Sequence, residues 1–131
     1  MRIDVLQLPP APDDPSLAGK TCFVVDVLRA TSTIATLLDG GLTAIYPAGS
    51  IVEGRERRDS LQQALGHEVL LCGEEGGLPP AGYDLGNPPT ELAAVLAARQ
   101  PPWREAVIAT SNGTKALLAC RSADLVLAAA P

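Results

Sequence analysis

An α/β fold, with helices on both faces of a largely parallel sheet in three layers, is predicted by three features of this 131-residue chain. Short apolar runs alternate with helical patterns along its length, and such alternation points to parallel strands joined by right-handed crossovers. The run at 21–27 is apolar almost without interruption, as a strand covered on both faces must be. Apolar residues make up 47% of the chain and charged residues 19%, a globular balance at a length suited to one domain.

Residues 3–8 read as a first strand, closed by a turn through Pro9, Pro10, Pro12 and Pro15. The apolar strand 21–27 follows, then a helix over 32–39 that Gly40-Gly41 stops. Residues 44–47 form a short strand, and 51–65 a helix ended by Gly66. A strand at 69–72 leads into 73–89, whose five glycines and four prolines are too many for regular structure and mark a functional loop. A helix begins at Pro89 or Thr90 and reaches about Ala98, and Gln100-Pro101-Pro102-Trp103 is a turn. Residues 105–110 read as a strand, 112–119 as a helix and 125–129 as a last strand. The chain then stops where a strand would deliver its loop, as if cut.

A net charge of −5 without a basic footprint excludes non-specific nucleic-acid binding. An acidic chain that takes an anion must attract it locally, through an arginine, a lysine, helix dipoles or a bound divalent cation. Cys22, Cys72 and Cys120 are widely spaced and His67 is the single histidine, which speaks against zinc. The three cysteines read as buried, reduced thiols. Residues 1–4 run into Leu8-Pro9-Pro10, leaving no secretory apolar region, and no apolar run approaches the roughly 20 residues of a membrane span. The expected setting is the cytoplasm, with no role for membrane or nucleic acid.

Three constellations carry chemistry. In the first, Asp26 ends the apolar strand, Arg29 follows three residues later, and Thr31, Ser32 and Thr33 open a helix. That sets a carboxylate, a guanidinium and free helix N–H groups at a strand's carboxyl edge, where α/β sheets bind ligands. Asp26 there suits ligation of Mg²⁺ or attack on phosphorus, and Arg29 a bidentate grip on an anionic oxygen. The bland alternative is a salt bridge beside a hydroxyl N-cap, although three hydroxyls exceed what capping requires. The second, Thr110-Ser111-Asn112-Gly113-Thr114-Lys115, repeats the strand–turn–helix pattern and suits a phosphate or sulfonate cradle. It lacks the GxxxxGK spacing of a Walker A loop, and its glycine serves either a positive-φ turn or close approach to an anion. The third is the loop bearing Glu74, Glu75 and Asp84 among glycines, suited to metal ligation or general acid work. The charges at 53–59 read as a solvated helix face, His67 as a surface residue and Trp103 as a lid on the core.

In this order, four runs together resemble the 2-phosphosulfolactate phosphatase family. They are Val25-Asp26-Val27-Leu28-Arg29-Ala30-Thr31-Ser32-Thr33, then Gly73-Glu74 with Gly76-Gly77, then Gly82-Tyr83-Asp84-Leu85-Gly86-Asn87 with Pro89 and Glu91, and finally Asn112-Gly113-Thr114-Lys115-Ala116-Leu117. The likeness runs from Thr21 onward and covers roughly the N-terminal half of the family chain. Residues 1–131 are therefore expected to be a single α/β domain, the N-terminal portion of a longer phosphatase. The resemblance implies Mg²⁺-dependent hydrolysis of 2-phosphosulfolactate to sulfolactate and phosphate, a step that serves coenzyme M synthesis in methanogens. Glu75 stands where the family carries Arg, and the family's later glycine- and acid-rich motifs have no counterpart before Pro131.

The expected partner is a small anionic phosphorylated substrate, with room for a homo-oligomer. Asp26, Arg29, Glu74 and Asp84 are the expected catalytic residues, with Asp26 as metal ligand or nucleophile and Glu74 and Asp84 as further ligands or general acid. Arg29, Thr31, Ser32, Thr33, Asn87, Asn112, Gly113, Thr114 and Lys115 are expected to hold phosphate or sulfonate oxygens. An aspartyl phosphatase of haloacid-dehalogenase type would want DxD, and Leu28 counts against it. The rival from another class is a non-catalytic anion-binding α/β module that has kept the fold and lost activity.

Overall fold

The computed structural model describes residues 1–98 and 102–130. Five strands and four α-helices alternate as β1 (Thr21–Val25), α1 (Ala30–Asp39), β2 (Ala44–Ala48), α2 (Ile51–Leu65), β3 (Leu70–Gly73), α3 (Pro89–Ala98), β4 (Glu105–Ala109), α4 (Gly113–Ala119) and β5 (Leu125–Ala129). Every ladder between these strands is parallel, and the fold is the expected three-layer α/β arrangement. Hydrogen bonding divides the strands into a pair, β1-β5, and a triplet in the order β2-β4-β3. Pro47 explains one edge: lacking an N–H, it is tolerated in β2 because β2 pairs only with β4.

The triplet is buried on both faces. Ala106 and Ile108 of β4 face a cluster with Ile34 and Leu37 of α1 and Leu92 and Leu96 of α3, against which Trp103 packs as the expected lid. Val107 and Ala109 face the other way, against Ile51 and Leu61 of α2 and Tyr83. One face of the pair rests on Leu17, Ala116, Leu117 and Cys120. Cys72 is fully buried, and desolvation, aided by the charge of Asp84, pushes its thiol to about 12, so it is an inert packing residue.

Helix α2 has the expected bounds for visible reasons. Ser50 Oγ accepts from Glu53 N–H (3.1 Å), and Glu53 reaches back to Gly49 N–H (2.8 Å), a variant of the capping box. At the other end Gly66 takes φ 74° and donates to the Gln62 carbonyl. Its charged face is less idle than expected. Arg55 donates to the Ala81 carbonyl, Arg57 to the Pro47 carbonyl (2.6 Å), and Arg58 lies 4.0 Å from Asp84. These arginines tie the long loop and β2 to the helix. His67 is half-buried, with Nε2 3.3 Å from Glu105 Oε2.

The expected first strand at 3–8 is absent. Ile3, Val5, Leu6 and Leu8 are each at least 64% exposed, because an apolar run becomes a strand only where another strand offers its edge. Strand β1 ends at Val25 and α1 begins at Ala30, leaving four residues of turn between them. Most of the turn expected at 100–103 lies outside the described residues.

Candidate functional site

Two strand-to-helix turns are built alike. After β1, Asp26 N–H donates to Thr31 Oγ1 (3.0 Å), and that hydroxyl donates to the Asp26 carbonyl (2.9 Å). After β4, Thr110 N–H donates to Thr114 Oγ1 (3.0 Å), and the hydroxyl donates to the Thr110 carbonyl (3.1 Å). A buried threonine thus satisfies both main-chain groups just past the strand and clamps the helix start to the strand end. The turns meet at Gly113. A Cβ there would collide with Asp26 Oδ2 and the Ala30 side chain, so the glycine admits the neighbouring carboxylate rather than an external anion. Gly113 has no positive φ either, so turn geometry is not its reason.

A cleft of about 210 Å³ opens between these turns at the carboxyl ends of β1, β3 and β4, lined by Asp26, Leu28, Arg29, Glu74, Asn87, Thr110, Ser111 and Asn112. Asp26 is half-buried, its Oδ2 receives only a long bond from Ala30 N–H (3.4 Å), and its Oδ1 makes none among the described residues. Arg29 makes no ion pair among the described residues, although its charge reaches Glu74. Asn87 is 3% exposed and its Oδ1 is buried without a hydrogen-bond partner among the described residues. An orphaned amide oxygen at a cleft wall is a group awaiting a donor or a cation.

Glu74 is held rather than free. Its Oε1 accepts from Ser111 N–H and its Oε2 from Gly77 N–H, both at 2.8 Å. Burial works to raise its pKa, but those backbone donors, with Arg29's charge, outweigh it and leave the carboxyl below its ordinary value. A carboxyl so biased toward its ion is a poor general acid. The Gly76-Gly77 turn that places one donor has φ 60° and 86°, with main-chain bonds linking Glu75 and Leu78.

Several expected contacts fall elsewhere. Thr31, Ser32 and Thr33 are all committed to main-chain carbonyls, those of Asp26, Val27 and Asn87 respectively, and none lines the cleft. Thr33 is fully buried, and its 2.7 Å bond to Asn87 fastens the long loop to α1. Thr114 is likewise a main-chain clamp. Asp84 does not join Asp26 and Glu74; its carboxylate accepts from Leu71 N–H (2.8 Å), extending the β3 edge two residues below the strand's end. Glu75 is exposed and outside the cleft, so it sets no repulsion within it. Lys115 is exposed in the first turn of α4 and also outside the lining. Among the described residues, no three His, Cys, Asp or Glu side chains converge as a metal cage. Thr110, Ser111 and Leu28 line the cleft although the expected contact set omits them; their position at strand ends was the available signal.

The chain is 39% identical over 129 residues to a probable 2-phosphosulfolactate phosphatase of Clostridium perfringens, covering 98% of this chain and 50% of that protein. It is 39% identical over 126 residues to one from Pseudothermotoga lettingae, covering 96% and 49%. A third, from Thermus thermophilus, is 38% identical over 130 residues, covering 98% and 48%. The chain therefore spans about half the length of the curated relatives it matches. Residues 9–131 match the family described as 2-phosphosulpholactate phosphatase, and the chain belongs to that family.

Proposed function

We propose that this chain carries the substrate-binding cleft of a Mg²⁺-dependent phosphatase that hydrolyses 2-phosphosulfolactate, or a similar small anionic phosphomonoester, in the cytoplasm. The observation that carries the reading is the cleft itself. It brings an available carboxylate (Asp26), a guanidinium with no ion pair among the described residues (Arg29), an amide oxygen with no partner among them (Asn87) and two helix-opening turns to one edge of the sheet. The names of the relatives support the same reading.

The oxygen donors fit Mg²⁺, which commonly takes one or two carboxylates and fills its remaining positions with water and substrate phosphate. Asp26 through Oδ1 and Asn87 through Oδ1 are the residues to hold it, whereas both oxygens of Glu74 already accept backbone donors. Mg²⁺ bound there would supply Lewis-acid polarisation of a phosphoryl oxygen. Arg29 grips a second anionic oxygen in a bidentate fork, and the Asn112 side chain, which makes no cap bond, donates from the opposite rim. Glu74 acts through Ser111, holding the β4–α4 turn against the glycine loop so that Asn112 keeps its place. Local positive groups thereby overcome the repulsion of a chain with net charge −5.

Phosphate release from 2-phosphosulfolactate, measured with Mg²⁺ and with EDTA, tests the proposal. Saturable release that requires Mg²⁺ and disappears in Arg29→Ala supports it. The half-length match favours one second reading, a non-catalytic module that binds anions. That reading predicts phosphate or sulfonate binding by titration calorimetry without turnover under either condition.

A further inference from the structure

Parallel sheets occur almost only where both faces are covered, because their crossovers put helices on each side. The β2-β4-β3 triplet obeys this rule and the β1-β5 pair does not. The register sets Thr21 beside Leu125, Phe23 beside Leu127 and Val25 beside Ala129, so these six residues share one face. The opposite face, with Val24 and Cys22, packs on Cys120 and Leu117. On the shared face Phe23 is 66% exposed, Val25 64%, Leu125 48% and Leu127 37%. Apolar exposure continues past the strand end through Val27 to Leu28, which is 87% exposed and itself lines the cleft.

We propose that this face is the docking surface for the other half of the family's chain, which covers Phe23, Val25, Leu125 and Leu127 and walls the cleft at Leu28. Two facts favour that occupant. The relatives continue for about as many residues again as they share with this chain, enough for a second body with an apolar face of its own. A second copy of the chain would instead set two bodies of net charge −5 against each other. The bare face also runs to the rim of the cleft, so a body seated there adds a wall where Asp26 and Arg29 now have solvent. Ligands beyond Asp26 and Asn87 would then come from across the seam, in keeping with the lack of a three-residue metal cage among the described residues.

The test is a chimera in which this chain replaces the matching half of the full-length Clostridium perfringens relative. Hydroxyl-radical footprinting compares Phe23, Val25, Leu125 and Leu127 in the chimera and in the 131-residue chain alone. Docking predicts labelling of all four several-fold lower in the chimera, with Val52 on α2, also exposed, unchanged. Phe23→Asp should lower the melting temperature of the chimera by several degrees while leaving that of the isolated chain in place. Leu127→Asp serves as the second variant and should behave alike. Equal labelling in the two proteins overturns the proposal. So does an isolated chain that sediments as a dimer and becomes a monomer on Phe23→Asp, since the face would then seat a second copy. Every readout is independent of phosphate release, so failure here and failure of the phosphatase reading are separable.

Discussion

The turns after β1 and β4 use the same threonine clamp and differ in what occupies the strand-end position. After β4 that residue is Thr110, whose hydroxyl accepts from Thr114 N–H (3.1 Å) and closes a local circuit. After β1 it is Asp26, whose carboxylate reaches the corresponding helix N–H only weakly, at 3.4 Å from Ala30. One turn satisfies itself and the other holds a charge in reserve at a helix N-terminus, where an anion is favoured. Replacing a hydroxyl by a carboxylate in a common frame leaves one side of the cleft with a free acidic group and the other with a closed circuit.

Substitutions that erase that difference should have the largest effect. Asp26→Asn leaves the Thr31 clamp intact, since the clamp uses only main-chain atoms of residue 26. Phosphate release should fall by about 10³-fold or more, equivalent to roughly 4 kcal/mol of transition-state stabilisation, with the circular-dichroism melt little changed. Activity within a few-fold of the parent would remove Asp26 from the chemistry.

Gly113→Val attacks the point where the turns touch. Overpacking against Asp26 and Ala30 should cost about 1–3 kcal/mol in a urea melt and displace the carboxylate, lowering kcat/KM together with stability. Unchanged stability would show that the helices separate easily. The clamps themselves come next. Thr31→Val leaves the half-buried Asp26 N–H without its partner and Thr114→Val the buried Thr110 N–H, at about 1–3 kcal/mol apiece. Thr114→Val should be the more destabilising, because it also strips the Thr110 hydroxyl of a neighbour, whereas Thr31→Val should weaken turnover more by loosening Asp26.

The smallest effect belongs to Glu74, which joins the glycine loop to the β4 turn. Its folded pKa lies below its ordinary value of 4.5, so its contribution is full above that value and is lost as pH falls through the folded one. Glu74→Gln should remove that part of the acid slope and cost about 1 kcal/mol or less at neutral pH after solvent screening. Melts between pH 3 and pH 7 check both parts, and an unaltered acid slope would show that the latch is weak.

Periodicity and punctuation carried most of the element order into view. Gly66 ends α2 by its left-handed cap, and Pro47 keeps β2 at an edge, both from local chemistry. Pairing is not local, and so the division into β1-β5 and β2-β4-β3, and the lack of any partner for residues 3–8, had no sequence signal. Of the residues singled out in the sequence, Asp26, Arg29, Glu74, Asn87 and Asn112 line one cleft. The sequence could not say which way each hydroxyl turns. Thr31, Ser32 and Thr33 are successive residues with three different carbonyl partners, one of them 54 positions away. Asp84 was out of reach for the same reason, since its place depends on how a long loop folds back along β3.

The order of the triplet bears on how the chain can be made. Strands β2 and β3 bond to nothing but β4 within their sheet, and β4 is synthesised after both of them; β1 waits likewise for β5. On the ribosome, then, three apolar strands emerge without edges to join, and no ladder between these strands can form until β4 at Glu105–Ala109 appears. Parallel pairings this distant in sequence close slowly and leave hydrophobic surface bare meanwhile. Until β4 arrives, Leu70, Leu71 and Ile45, which it buries, have no sheet to shelter in.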